Sequence, residues 1–392
     1  MIIDAKIIKQ KVYHITKDII LWRRLFHQYP ELAFEETKTS EKIQSILSQL
    51  KIPFEVKAKT GVVGFLKVKN AEKTIGIRAD MDALPIKEKT GLSFSSKNNG
   101  IMHACGHDAH MATLLGTAKI LSKFKDELKV NIKFIFQPSE EKPPGGAIKM
   151  IEEDVTKYVD NFIGFHYVPY IPLKKIWLGS GPVMANTDKF EIIIEGKGGH
   201  GSTPHYTKDP ITCCSYLITQ IQTIVSRRIQ SYEPVVISIG GIHAGSAFNV
   251  IPDIVKIEGT VRTINDNIRI FVKNELKKII EGTCKSFDCR WKLKYNVYSP
   301  SVINNPEFTN KIHLTTSKIF SSEVLVEQKP SMTGEDFAFF SRKAPSCYIF
   351  IGVGGKCGVL HSSTYILDES IIPFGVFYLS MLMFNTTSQN SS

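Results

Sequence analysis

The stretch Met102-His103-Ala104-Cys105-Gly106-His107-Asp108-Ala109-His110 packs three histidines, a cysteine and an aspartate into nine residues. His103, Cys105 and His107 sit two apart, so an extended backbone would send all three side chains from one side. A thiolate and an imidazole so close together, just before the apolar run Met111–Leu115 that starts a helix, make a clamp for a borderline-soft divalent ion. The competing reading is that these residues pack and cap the helix, as buried Cys and His often do.

Three other places offer ligands. Glu140-Glu141 follow a strand-like run and Pro138, His166 closes the run Asn161–Phe165, and His361 lies in Gly358-Val359-Leu360-His361-Ser362. Each histidine alone is more often structural. Together the four places supply one thiolate, three imidazoles and carboxylate, a set that suits two adjacent divalent ions sharing a bridging ligand and water. Cysteine favours zinc over magnesium or calcium. Neighbouring residues on an extended segment point apart. One of the two glutamates can therefore ligate while the other acts as general base on a water whose pKa the metal lowers to about 7; a solvated acidic turn is the alternative. Further along, His200 sits in the loop Gly198-Gly199-His200-Gly201-Ser202. Asn249 could donate to a developing oxyanion and Arg262 suits a substrate carboxylate. The alternatives there are a loop amide bond and a strand-edge salt bridge.

The elements that must position these groups alternate. Apolar residues at helical spacing (Ile7, Ile8, Val12, Ile15, Ile19, Ile20, Leu25) predict a helix over the first 28 residues, ended by Tyr29-Pro30. A second helix is expected at Ser40–Leu50, and strands at Val62–Val68, Thr74–Arg78, Val130–Phe136 and Asn161–Phe165, with a helix to about Phe124 between. Strands alternating with helices predict an α/β layer with a largely parallel sheet and polar groups at strand ends. From about Asp188 the order becomes strand, helix (Pro210 to about Ser231), two strands (Pro234–Ile239, Val255–Arg262), helix (Asn267–Cys284) and strand (Arg290–Val297). That is a ferredoxin-like split βαβ unit. A helix at Asn304–Phe320 and a strand at Cys347–Val353 then return to the first layer. The apolar run Ile371–Phe384 reads as a closing core helix, and the polar tail Asn385–Ser392 as frayed. The domain expectation is a discontinuous catalytic domain of residues 1–185 and 300–392 with an insert of 186–299.

Composition narrows the function classes. The chain has 392 residues, 49 Lys plus Arg against 38 Asp plus Glu, and a net charge of +11. The basic residues are scattered, with no cluster or motif of a nucleic-acid binder, so no nucleic-acid partner is expected. No apolar run reaches the roughly 20 residues that span a bilayer, so no membrane partner is expected either. Seven cysteines without a C-x-x-C spacing, and an N-terminus whose isoleucines are broken by Asp4, Lys6, Lys9 and Lys11, lead to the expectation of a reduced, cytoplasmic protein.

Taken in order, the motifs resemble the dinuclear metal amidohydrolases of the aminoacylase/carboxypeptidase superfamily. They look most like the branch of hippurate hydrolases, auxin-conjugate hydrolases and N-acetyl-diaminopimelate deacetylases. The resemblance runs from Arg23–Glu36 through Ile77–Pro85, Met102–His110, Phe136–Glu141, Gly198–Ser202, Phe248–Asp253 and Thr333–Phe337 to Leu360–Ser362. It implies a metallo-exopeptidase-like catalytic domain, its mixed, largely parallel sheet flanked by helices, plus an inserted ferredoxin-like lid and dimerisation domain. It implies the metal ligands Cys105, His107, Glu141, His166 and His361, with Cys105 bridging, and Glu140 as general base. Asp82 and Asp108 would orient ligands. His200 and Asn249 would reach an active site from the small domain, His200 that of a partner subunit. Lys142 and the loop Pro143-Pro144 vary near the substrate in this family, and their part in specificity is left open.

The expected activity is hydrolysis of N-acyl amino acids, hippurate first, by a homodimer or higher homo-oligomer. Two divalent ions per subunit are expected, zinc first, with manganese, cobalt or nickel as alternatives. The alternatives in function are a small-acyl deacetylase such as N-acetyl-diaminopimelate deacetylase, a dipeptidase or carboxypeptidase, a metal-free hydrolase using Cys105 as nucleophile, and a non-catalytic binding protein on the same fold.

Overall fold

The structure, a computed structural model, describes residues 3–386. The expectation for the tail falls largely on residues 387–392, outside that range. The chain divides into two compact units. Among the described residues the first comprises 3–181, 303–329 and 336–386; the second comprises 182–302 and 330–335.

The first unit begins with the helices α1 (Ala5–Gln28) and α2 (Thr37–Gln49) and the strands β1 (Phe54–Lys57), β2 (Gly61–Leu66) and β3 (Thr74–Asp80). Helix α3 (His107–Lys123), strand β4 (Asn131–Gln137), the short helix α4 (Gly146–Glu152), β5 (Asn161–Val168) and β6 (Ile176–Trp177) follow. A short strand, β7 (Gly181–Met184), leads into the second unit, which holds β8 (Asn186–Glu195), β9 (Gly199–His200), α5 (Pro210–Thr223), β10 (Val235–Ala244), β11 (Val250–Ile251), β12 (Ile254–Thr263), α6 (Asp266–Ser286) and β13 (Arg290–Val297). The chain returns through β14 (Val302–Asn304), α7 (Pro306–Phe320), α8 (Ala338–Ser341), β15 (Ser346–Gly352) and α9 (Ile371–Asn385).

The large sheet has the order β1-β2-β4-β3-β5-β15-β6. The pairs β4–β3, β3–β5 and β5–β15 are parallel and the outer pairs antiparallel. The parallel centre of the sheet is the α/β layer the alternation predicts, and its mixed character is what the family resemblance implies. Strands β3 and β15 are buried along their whole length, as expected where helices cover both faces. β3 leads to β4 on one side while its other neighbour β5 leads towards β15 on the far side, so the connections from these two adjacent strands run in opposite directions. Such a switch point opens a crevice at the carboxyl ends of the strands. Asp80 ends β3 beside Gln137, which ends β4, and His166 pairs with Phe350 near the end of β5.

Helix α3 is buried almost all round, which is the mark of a core helix. It packs against α1 and α9, and its first turn presents His107 and His110 three residues apart on one face. Helix α9 is the closing core helix the apolar run predicts. Among the described residues no helix is long and apolar enough to cross a membrane.

The second unit carries its own core, Phe190, Ile192, Ile194, Leu217, Ile257, Val272 and Leu276 among others. Its four-stranded antiparallel sheet, ordered β10-β12-β8-β13, with α5 and α6 as the two crossovers, has ferredoxin-like connectivity. β8 alternates buried and half-exposed residues throughout, as a strand covered on one face must. Arg269 of α6 ties the helix to the sheet through both carboxylate oxygens of Asp188.

Candidate metal centre

The opening motif is not extended. Gly106 takes φ 86°, a left-handed conformation that suits glycine, and His107 is already the first residue of α3. The turn separates side chains that a strand would have aligned. Cys105 and His107 join His166, their ligand atoms all within 4.8 Å of one another. His103 goes elsewhere: it is buried with neither ring nitrogen hydrogen-bonded, and burial pushes its pKa down to about 3.

His107, His166 and His110 are each held in one orientation by their surroundings. His107 Nδ1 donates to the backbone carbonyl of Asp82 at 2.8 Å, which leaves Nε2 as the nitrogen that could meet a metal once its proton is displaced. His166 Nδ1 donates to the carbonyl of Tyr167 at 2.8 Å, and its Nε2 faces Cys105 Sγ at 3.3 Å. Backbone acceptors on Nδ1 are the usual way a ligating imidazole is oriented. His110 accepts the Tyr167 N–H on Nε2 at 3.1 Å, so Nδ1 carries the proton and donates it to Asp80 at 2.7 Å. Asp80 in turn accepts from Arg78 at 2.7 Å, and Arg78 reaches Asp336 at 3.0 Å. Asp80, His107 and His110 are thus close enough to hold an ion, but Asp80 and His110 spend their polar atoms on one another and on Arg78 and Tyr167. Sequence reasoning assigned no role to Asp80 or Arg78. The available signal was the position of Asp80, two residues before Asp82, at a strand end.

The glutamate pair also departs from an extended geometry. Ser139 sits at φ 51°, and after this turn both carboxylates converge on His107, with oxygen and nitrogen atoms within 4.8 Å of one another. The carboxylate of Asp82 receives the N–H of Glu140 at 2.8 Å and that of Glu141 at 3.0 Å. His361 enters from a loop tied to the opening motif by its N–H to the Ala104 carbonyl, 2.9 Å. Its backbone is also left-handed, φ 62°, and such local strain clusters at functional sites. Its Nε2 lies 3.2 Å from Glu141 Oε1, yet that buried oxygen makes no well-formed hydrogen bond.

These contacts fit a cation. A neutral imidazole lone pair and a carboxylate oxygen face each other unfavourably unless a proton or a metal lies between them. Ligands about 2.0–2.3 Å from a tetrahedral ion stand roughly 3.3–3.8 Å apart, close to the 3.3 Å of Cys105–His166 and the 3.2 Å of His361–Glu141. Cys105 belongs to both the Cys105–His107–His166 and the Cys105–Glu141–His361 groups, the position a bridging thiolate would take. The electrostatics agree. Burial together with Glu141, Glu140 and Asp80 drives the Cys105 thiol well above its ordinary pKa. Burial alone would lower His107, but Asp80 and Asp82 raise it to about 10. Burial and the His110 ring keep His166 neutral, well below the usual histidine range. Metal binding displaces protons from such ligands.

In the second unit β9 and β11 form a short ladder in which His200 pairs with Val250 and Gly201 N–H donates to the Asn249 carbonyl at 2.8 Å. His200 and Asn249 are therefore brought together, both exposed. His200 Nδ1 accepts from Ser202 Oγ at 2.7 Å, so the proton rests on an outward Nε2 ready to donate. Asp253 anchors this loop at the Glu195–Ile254 end of the sheet. Arg262 lies towards the other end, opposite Thr187, half-buried, with Nη1 donating to Thr260 Oγ1 and to the Val261 carbonyl. At about 3.3 Å per residue the strand from Ile254 to Arg262 measures roughly 26 Å.

Similarity to known proteins identifies the family. The pattern of peptidase family M20/M25/M40 matches residues 76–385. Thermostable carboxypeptidase 1 of Saccharolobus solfataricus is 40% identical over 96% of this chain and 97% of its own. An N-acetylcysteine deacetylase of Bacillus subtilis is 39% identical over 95% and 97%, and the hippurate hydrolase of Campylobacter jejuni 37% over 92% and 94%. A solved Bacillus subtilis structure described as a dinuclear metal-binding peptidase of the M20 family superposes with a TM-score of 0.84 at 35% identity, covering 95% of this chain and 98% of that one. The chain belongs to peptidase family M20/M25/M40.

Proposed function

We propose that the chain hydrolyses N-acyl amino acids at a two-ion centre held by Cys105, His107, Glu141, His166 and His361, with Glu140 as general base. That the enzyme is an amidohydrolase follows from its family and relatives; the substrate and the residue roles are the proposal. The observation that carries it is the convergence of these six side chains from α3, β5 and three loops, with a buried Glu141 oxygen left without a hydrogen bond.

Divalent ions at these ligands would acidify a water and polarise the amide carbonyl. Glu140, held by its N–H on Asp82, takes the proton of the attacking water and returns it to the leaving amine. His200 Nε2–H and the Asn249 amide donate to the oxyanion. Arg262, with no carboxylate within ion-pair distance among the described residues, pairs with the substrate carboxylate. Because His200 and Arg262 of one chain stand at opposite ends of a strand, both cannot touch one small substrate. This supports a dimer in which His200 and Asn249 serve the partner's site. Exposed Phe248, Val250 and Ile254 around that loop supply apolar surface for such a contact. Zinc is the first choice because a thiolate is among the ligands. Seven free cysteines suit a cytoplasmic setting.

An aromatic acyl group, as in hippurate, is the first substrate reading. The deacetylase and carboxypeptidase relatives support small-acyl amino acids or dipeptides as the alternative. A panel of N-benzoyl, N-acetyl and N-indolylacetyl amino acids and dipeptides, assayed with zinc, manganese and cobalt, decides. Preferred turnover of N-benzoylglycine supports the first reading, and preferred turnover of N-acetyl substrates or dipeptides replaces it.

A further inference from the structure

We propose that Glu36, far from the ligands in sequence, is the positioning residue that sets Glu140 and Glu141, acting through the backbone of Ser139; this rests on the roles proposed above for those two glutamates. Glu36 is fully buried at the start of α2. Its Oε1 accepts the Ser139 N–H at 2.9 Å and its Oε2 the hydroxyl of Thr60 at 2.6 Å. Among the described residues it has no cationic partner. Burial, the largest influence, and the neighbouring Asp82 carboxylate push its pKa above the usual range.

A buried carboxylate without a cation is expensive, and packing alone would be served by an apolar side chain. The hydrogen bonds show what the charge does. The Ser139 N–H goes to Glu36, the Glu140 N–H to Asp82 Oδ1 and the Glu141 N–H to Asp82 Oδ2. Three successive backbone donors, the first on the left-handed Ser139 itself, end on buried carboxylate oxygens of the protein. Such runs of N–H groups form concavities that favour anions. Here the anions come from α2 and from the segment after β3, elements fixed by the core.

Ser139 needs that restraint. A serine at φ 51° is uncommon and persists where its surroundings over-determine it. Behind it, the Gly146 N–H returns to the Ser139 carbonyl at 2.8 Å. A Cβ on Gly146 would lie 1.9 Å from the Pro138 carbonyl oxygen, so only glycine allows this closure. The turn directs both following carboxylates to His107. Without the Glu36 acceptor the Ser139 N–H is buried and unpaired, and the turn relaxes towards the commoner right-handed or extended backbone.

The test compares wild type with Glu36→Gln and Glu36→Ala as full-length chains. Glutamine keeps an oxygen for Ser139 and a polar partner for Thr60; alanine keeps neither. Metal-free protein is followed by hydrogen exchange in the peptide carrying residues 139–141, and zinc affinity by competition with a chelator. We expect Glu36→Ala to exchange there at least about tenfold faster while peptides from β3 and β4 keep wild-type protection. Zinc binding should weaken about tenfold, and kcat should fall at least about tenfold with KM within about twofold. Glu36→Gln should restore most of each. If Glu36→Ala does not fold, Thr60→Val, which removes one anchor of Glu36, should give a smaller change of the same pattern. Unchanged exchange at 139–141, or faster exchange spread evenly over β3 and β4, overturns the proposal. The exchange and zinc measurements need no turnover. A wild type inactive on every N-acyl amino acid would therefore defeat the proposed function and still leave this inference decided.

Discussion

The backbone carbonyl of Asp82 accepts the Nδ1 proton of His107 at 2.8 Å, and this bond decides which nitrogen of His107 is left to bind a metal. The carboxylate of the same aspartate holds the N–H groups of Glu140 and Glu141. One residue thus orients His107, Glu140 and Glu141, the first and last proposed as ligands and Glu140 as the base. Asp82→Ala should lower zinc affinity by about 10–100-fold, measured by chelator competition. The backbone carbonyl survives this change, so unchanged affinity would show that Glu141 is oriented by something other than the Asp82 carboxylate.

Glu140→Gln keeps the size and backbone of the base and removes its proton chemistry. It should bind metal as wild type does, by elemental analysis, while kcat falls by about 10²–10⁴-fold. Near-normal turnover would remove Glu140 from the role of base.

If His200 serves a partner's site, two defective chains can complement. His200→Ala and Arg262→Ala homodimers should each be nearly inactive. A refolded equimolar mixture should regain up to about a quarter of wild-type activity, since half the dimers are mixed and one of their two sites is intact. No recovery would place both residues in separate roles or in one chain's site.

His27 gives a pH signature away from the ligands. It is buried, which alone would lower its pKa. Asp108 at 2.8 Å and Glu88 at 3.2 Å outweigh burial and raise it above 6.5. A raised folded-state pKa stabilises below the unfolded value and fades as pH climbs through the folded one. The stability advantage of wild type over His27→Gln, from urea melts, should therefore be full near pH 6 and shrink as pH rises past the folded value. An advantage that grows with pH would contradict the pairing.

Much of the fold was legible because burial imposes periodicity. Of the α1 pattern, Ile8, Val12, Ile15 and Ile19 are buried in the core, while Ile7 is exposed and Ile20 and Leu25 are half-buried, and the strand Arg290–Val297 was bounded to the residue. Strand β1 and helix α4 were missed. Each is short, and β1 is largely exposed, so neither carries enough apolar residues to show a period. At the site, residue types marked the candidate ligands, but backbone turns were hidden. Gly106 and Ser139 in left-handed conformations reverse the side-chain directions that extended spacing implies. They removed His103 from the cluster and brought Glu140 towards Glu141. Asp80 and Glu36 escaped notice because their partners, His110 and Ser139, are brought to them only by tertiary folding. The separation of Arg262 from His200 likewise depends on strand register, which no local pattern encodes.

The central claim is that hydrolysis depends on two ions held by Cys105, His107, Glu141, His166 and His361. The direct measurement is stepwise zinc addition to chelator-treated enzyme, with bound metal and hydrolysis of its best N-acyl amino acid read on the same sample. Activity should be absent without metal and reach its plateau at two ions per chain. Full turnover by protein shown to contain no metal would contradict the account and point instead to Cys105 as a nucleophile.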